Sequence, residues 1–227
     1  RQMVAGAVTG ILYTKLKIPA ILAGILTMIA LYSINLHIMG KANVSLLRTD
    51  TIFRLASRFL DCGSSVAALV VSGGLILVLV LWVYWFFGTE LGMCIRATGF
   101  NVHMMRAQGV NTDTMTILGL LLSNGLISAC GAVVAQNNGF ADVGMGIGTL
   151  VIGLASIIIG EVVLNATSFK TSLIAVMVGS VIYRGIIAVV LYMGMEPNDL
   201  KLFTAVVVVL ALSMPLIKTH IAAGREG

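Results

Sequence analysis

LGMCIRATGFNVHMMRAQGVNTDTM, Leu91 to Met115, lies between two apolar runs that are each long enough to cross a bilayer. Its position between them sets the class of the chain. A chain that leaves lipid for some twenty-five residues and then returns is a polytopic membrane protein, and a polar helix of this kind is usually presented to a partner. Composition agrees: 59% of residues are hydrophobic and 10% charged, and the mean hydropathy is +1.05. A soluble domain carries about 25% charged residues.

Outward from the connector, apolar runs approach the about 20 residues needed to span a hydrocarbon core of ~30 Å. The clear spans are Pro19 to Met39, Val66 to Phe87, Thr114 to Gln136, Ser172 to Met193 and Leu200 to Ile217. Two more are short: Gln2 to Thr14, and the Gly-rich Ile147 to Val163, read as tilted, broken or re-entrant. In lipid every backbone amide must be bonded inside its own element, and barrel strands would alternate apolar with polar residues. These runs are therefore helices. The expected fold is all-α, a polytopic helical bundle with seven visible apolar segments. The chain opens on Arg1 inside an apolar run, without a signal-peptide pattern, which gives the expectation of a longer protein.

Charge bias does not set the orientation. With the connector at 88–113 placed in the cytoplasm, strict alternation puts Lys15, Lys17, Arg96, Arg106, Lys170, Lys218 and Arg225 inside, seven residues. It puts Arg1, Lys41, Arg48, Arg54, Arg58 and Lys201 outside, six, with Arg184 inside a span. That difference is too small for the positive-inside rule. In the loop Lys41 to Asp61, Ile52, Leu55, Ala56 and Phe59 recur at helical spacing opposite Arg54 and Arg58. A short amphipathic helix is expected there, on the membrane surface, under a partner, or simply solvated.

Redox and metal chemistry find no support. Cys62, Cys94 and Cys130 are isolated, and His37, His103 and His220 are scattered. There is no G-x-x-x-x-G-K-[ST] loop, so the chain does not hydrolyse ATP by a P-loop mechanism. It shows no nucleophile, metal set or acid-base pair at workable spacing, so it is read as not an enzyme. Glycine is abundant, 25 of 227 residues, and Gly6 with Gly10 and Gly144 with Gly148 form G-x-x-x-G pairs suited to close helix contact.

The run from Leu91 through Val163 resembles the permease subunits of ABC importers of the branched-chain amino acid and ribose type. The motif residues are Arg96, Ala97, Gly99, Asn101, Gly109 and Val110, then Leu126 to Gly131, Gly144 to Gly148 and the pair Ile159-Gly160. Ala107 stands nearer Gly109 than the family pattern has its alanine. The likeness continues through TSLIAVMVGSVIYRGIIAVVLYMGMEPNDLKLFTAVVVVLALSMP, and TKLKIPAILAGILTMIALYSINLHIMG is similar to a bacterial subgroup linked to uptake of aromatic amino acids, such as tryptophan and tyrosine.

The resemblance implies one transmembrane permease domain over 1–227, with further N-terminal spans in family members. It implies a bacterial inner-membrane importer that moves a small solute, an aromatic or branched-chain amino acid, with a sugar as the alternative. Expected partners are two ATPase subunits that carry the ATP, a second permease copy as a homodimer, an extracytoplasmic substrate-binding lipoprotein and the lipid membrane. No cofactor is expected on this chain, and no nucleic acid among its partners. The connector would be the coupling element, with Arg96, Gly99, Asn101, Val102, Met104, Met105, Arg106 and Gly109 at the ATPase. Val102, Met104 and Met105 would supply an adaptable apolar contact and the two arginines would meet acidic groups.

Inside the spans Arg184 is the clear intramembrane charge, which costs about 2.5 kcal/mol or more at a helix centre. It is read either as a carboxylate-attracting group on the translocation path or as half of an internal ion pair, with Glu161 for example. Ser33, Asn35, Ser123, Asn124 and Gln136 are the other path candidates, against interhelical hydrogen bonding. The rival class, an ATP-independent secondary transporter, would show paired ionisable residues at mid-membrane and inverted repeats. The sequence offers one arginine and no convincing repeat.

Overall fold

The computed structural model describes residues 2–46, 51–60, 63–146, 149–164 and 168–194, and positions 206, 209 and 213. The chain forms two compact units, residues 1–145 and 146–227. The first holds helices α1 (Gln2–Thr14), α2 (Ala20–Met39), α3 (Ile52–Leu60), α4 (Ser64–Phe87), α5 (Glu90–Phe100), α6 (Val102–Ala107) and α7 (Thr112–Asn138), with strands β1 (Asn43–Ser45) and β2 (Phe140–Asp142). The second holds α8 (Thr149–Leu164) and α9 (Phe169–Tyr192).

Among the described residues, four helices are long and apolar enough to cross a membrane: Ala20–Met39, Val66–Phe87, Thr112–Asn138 and Phe169–Tyr192. Met3–Thr14 and Ile152–Leu164 are shorter apolar helices. Of the Gly-rich segment Ile147 to Val163, residues 147–148 lie outside the described residues and the rest forms one helix without a break, Thr149–Leu164. Most of the expected span Leu200 to Ile217 lies outside the described residues.

Small residues make the contacts. The buried apolar positions include Ala5, Ala23, Ala67, Ala155 and Ala175, and Thr27, Thr51, Thr98, Thr112 and Ser156 are buried polar ones. Lipid is as apolar as leucine, so no hydrophobic force drives helices together; close backbone approach and interhelical hydrogen bonds do. Along α1 and α7, Gly6 abuts Leu120 and Asn124, Gly10 abuts Ile117, and Met3 reaches Gly125. Numbers rise on one helix as they fall on the other, so the pair is antiparallel. Thr9 Oγ1 donates to Thr27 Oγ1 at 2.8 Å and ties α1 to α2.

The turn between α1 and α2 uses Lys17 at φ 52, and Pro19 occupies the N-cap position of α2. α2 and α7 each end on a left-handed glycine, Gly40 and Gly139, the usual way to release a chain from a helix. Beyond these two glycines the helical fold carries one short ribbon not expected from the sequence: β1 and β2 pair antiparallel, Asn43 with Asp142 and Ser45 with Phe140. The ribbon holds the C-terminal ends of α2 and α7 together. The expected amphipathic helix forms as α3 at this same end, where its Ile52 amide donates to Gln136 Oε1 of α7 at 3.1 Å. The connector sits at the opposite end of the unit.

Candidate functional site

The connector begins where α4 ends in an aromatic cluster. Trp82 stacks on Phe86 at 5.6 Å and Phe86 meets Phe87 edge-on at 5.4 Å, the kind of aromatic belt that marks a membrane boundary. The chain then turns sharply. Thr89 Oγ1 donates to the Phe86 carbonyl at 2.6 Å and accepts from the Gly92 amide at 3.3 Å, capping α5. Gly92 is required there: a Cβ would run into the Phe86 carbonyl and the Phe87 backbone.

α5 continues as far as Phe100. Thr98 and Gly99 are helical, and the buried Thr98 hydroxyl donates back to the Cys94 carbonyl at 2.7 Å. The break comes at Asn101, extended at φ −151, ψ 97, whose side chain accepts from the Met104 amide at 3.0 Å. One residue thus ends α5 and caps α6. A short polar side chain that bonds its own following backbone is suited to that corner.

α6 closes with a Schellman turn. The Val110 amide donates to the Met105 carbonyl at 3.1 Å and the Gly109 amide to the Arg106 carbonyl at 3.0 Å, with Gly109 at φ 81. Two residues later Asn111 caps α7, accepting from the Thr114 amide at 3.2 Å. Asp113 lies in the first turn of α7, where a carboxylate suits the helix dipole.

The elbow sorts the expected coupling residues. Val102 and Met104 are exposed, while Met105 is 4% exposed and turned into the chain. Met105 therefore does not share the apolar face expected of the three together. Phe100, not singled out from the sequence, is 88% exposed beside them, and His103 is exposed on the same short helix. Arg96 is half-buried and already engaged within the chain. Arg106 is engaged too: Nε donates to Thr112 Oγ1 at 2.8 Å and Nη2 to Asp113 Oδ1 at 3.3 Å. Gly99 and Gly109 face open space. The caps at Thr89, Asn101 and Asn111 were readable as polar residues three before a helical amide; the exposure of Phe100 and the partners of Arg106 were not.

The path candidates do not converge. Ser33 is exposed and Asn35 half-buried on α2. Asn124 Nδ2 donates to the Leu120 carbonyl of its own helix at 2.9 Å, at the contact with Gly6, and Ser123 is exposed. Gln136 anchors α3 and lines a cleft of about 360 Å³ with Thr51, Phe53, Arg54, Ser57 and Asn137. Arg184 is exposed on α9, and among the described residues it forms no ion pair with Glu161. No group of three His, Cys, Asp or Glu side chains able to hold a metal occurs among the described residues.

Comparison with known proteins adds the family. The sequence model of the branched-chain amino acid transport system permease component matches residues 2–213. The chain is 41% identical over 209 residues to a tyrosine transport system permease protein of Clostridioides difficile, covering 92% of this chain and 68% of that protein. It is 32% identical to an uncharacterized protein of Rickettsia prowazekii, covering 92% of this chain and 73% of the other. A galactofuranose transporter permease protein of Escherichia coli is 28% identical, over 92% of this chain and 60% of its own length. No solved structure matches.

Proposed function

The chain belongs to the family of branched-chain amino acid transport system permease components, and on that premise we propose that it is the permease of an ATP-driven ABC importer. As a member it is a multi-pass transport permease of the cell membrane. In the proposed role residues 1–227 act as one permease domain that pairs with a second copy to line the pore. Two ATPase subunits dock on the connector, and an extracytoplasmic lipoprotein delivers the solute. ATP stays on the partner subunits. The work of this chain is to convert their closure into a switch of access between two arrangements of its helices.

The observation that carries this reading is the connector tip. Val102, His103 and Met104 stand exposed on α6, a helix held at both ends by caps, and Phe100 stands exposed at the end of α5 beside them, beyond the aromatic end of α4. Adaptable apolar side chains on a rigid polar mount suit a groove in a soluble partner. With Met105 buried and Arg106 engaged internally, the docking face is Phe100 to Met104, with Asn101 and Gly99 shaping its entry. Asn35, Ser33, Asn124 and Arg184 remain the proposed path residues, Arg184 as a group for a substrate carboxylate.

The solute we propose is an amino acid, aromatic or branched-chain, as the likeness to the tyrosine transport system permease supports. A sugar is the second reading, favoured by the galactofuranose relative. The test is uptake of labelled tyrosine by cells that express the full-length protein with its neighbouring ATPase and binding protein. Uptake that stops on ATP depletion and survives a proton uncoupler supports the importer. The reverse pattern supports an ATP-independent secondary transporter, and uptake competed by galactofuranose but not by tyrosine supports the sugar.

A further inference from the structure

We infer that Arg106 is a positioning residue that locks the short α6 to the first turn of α7, so that the two helices move as one body. Its contacts are forked. Nε reaches Thr112 Oγ1 at 2.8 Å and Nη2 reaches Asp113 Oδ1 at 3.3 Å, so the guanidinium bridges the elbow that runs through Gly109 and Asn111. Thr112 is buried, which holds its hydroxyl in one place, whereas the Arg106–Asp113 pair is half open to solvent, at 58% and 38% exposure. An exposed ion pair alone contributes little to stability. Its value here is geometric: a planar fork that reaches two acceptors on adjacent residues of α7, one of them buried, favours one angle between the helices.

The rest of the elbow is built to the same end. The Schellman turn fixes the exit from α6, and the Asn111 cap fixes the entry to α7. Without Arg106 the intervening residues Gly109 to Asn111 could still pivot between these two caps, because Gly109 at φ 81 faces open space. With it the pivot is braced. α7 then runs 27 residues to the opposite end of the unit, packed along α1 and bonded through Gln136 to Ile52 of α3. A displacement of α6 is passed to the far end of one helix.

The consequence for transport rests on the importer reading, but the brace itself does not, so the test measures both. In detergent-solubilised full-length protein whose native cysteines are replaced, spin labels at His103→Cys and Ile127→Cys report the α6–α7 distance by pulsed electron resonance. The parent gives one narrow distance peak, and Arg106→Gln broadens it. Thr112→Val, a milder change should Arg106→Gln fold poorly, broadens it in part. Arg106→Lys gives an intermediate width, since a point charge cannot serve both acceptors. In the reconstituted transporter Arg106→Gln still recovers its ATPase, but solute moved per ATP falls about tenfold or more, the equivalent of one charge-assisted hydrogen bond. An unchanged peak in Arg106→Gln overturns the brace. Loss of ATPase recovery with an unchanged peak would instead place Arg106 on the docking face. A broadened peak in a protein with no ATP-driven uptake keeps the brace and overturns the importer reading.

Discussion

Gly160 of α8 lies flat against Ala175 of α9, so closely that a side-chain carbon on Gly160 would overlap the Ala175 carbonyl oxygen. Gly179 of α9 meets the Ser156 carbonyl of α8 in the same way. These two helices are joined by backbone contact. Dispersion and close approach of small residues, rather than hydrophobic expulsion from water, are what lipid leaves available to hold them.

Gly160→Ala should therefore force α8 and α9 apart and destabilise the second unit by about 1–3 kcal/mol, the usual cost of overpacking. Gly153→Ala on the same helix, where nothing lies within 4 Å, should be neutral or stabilising by up to about 1 kcal/mol from helix propensity. Thermal unfolding in detergent, followed by monodispersity on a sizing column, separates the two. Equal melting temperatures for both variants would contradict the tight contact.

Gly92 and Gly99 lie on one helix and should respond oppositely. Gly92→Ala drives a Cβ into the α4–α5 corner and should reduce the yield of folded protein sharply. Gly99→Ala meets open space and should fold normally, so any loss of ATPase recovery in that variant reads as a contact with the partner.

Asn101→Ala removes the acceptor for the Met104 amide and should cost α6 about 1 kcal/mol, as loss of an N-cap does, with Asn101→Asp close to neutral. Hydrogen exchange at Met104 and Met105 is the readout. Faster exchange in the alanine variant alone is the expected pattern; equal protection in all three proteins would mean that packing, not the cap, holds α6.

Phe100→Glu and Met105→Glu distinguish the outer from the inner face of the connector. Phe100 is exposed and Met105 buried, so Phe100→Glu should leave folding intact and abolish ATPase recovery in a pull-down. Met105→Glu should lower stability by several kcal/mol through an unpaired buried charge, about 3 or more. A Phe100→Glu protein that still recovers its ATPase would remove this face from the docking surface.

Gln136→Ala deletes the acceptor for the first amide of α3. Exchange at Ile52 should rise while exchange along the middle of α7 stays slow, because the α1 contact at Gly6 and Gly10 is untouched.

That this is a helical membrane protein, and the family to which it belongs, were legible in the order of residues alone. Those properties come from local causes: runs of apolar residues, the need of each buried amide for a partner within its own helix, and motif order along the chain. The α3 helix and the caps at Thr89, Asn101 and Asn111 are equally local, since a cap is a bond to an amide three residues on. Which apolar side chains are inside depends instead on packing in three dimensions. Met104 and Met105 are neighbours of one type, yet one is exposed and one buried, because the Asn101 corner and the Gly109 turn set which face of α6 is turned inward. The pairing of Asn43–Ser45 with Phe140–Asp142, the fork of Arg106 and the contact of Gly160 with Ala175 likewise depend on elements brought together in space. In lipid the outer surface of a helix is as apolar as its inner one, so hydropathy marks the span and leaves the packed face to geometry.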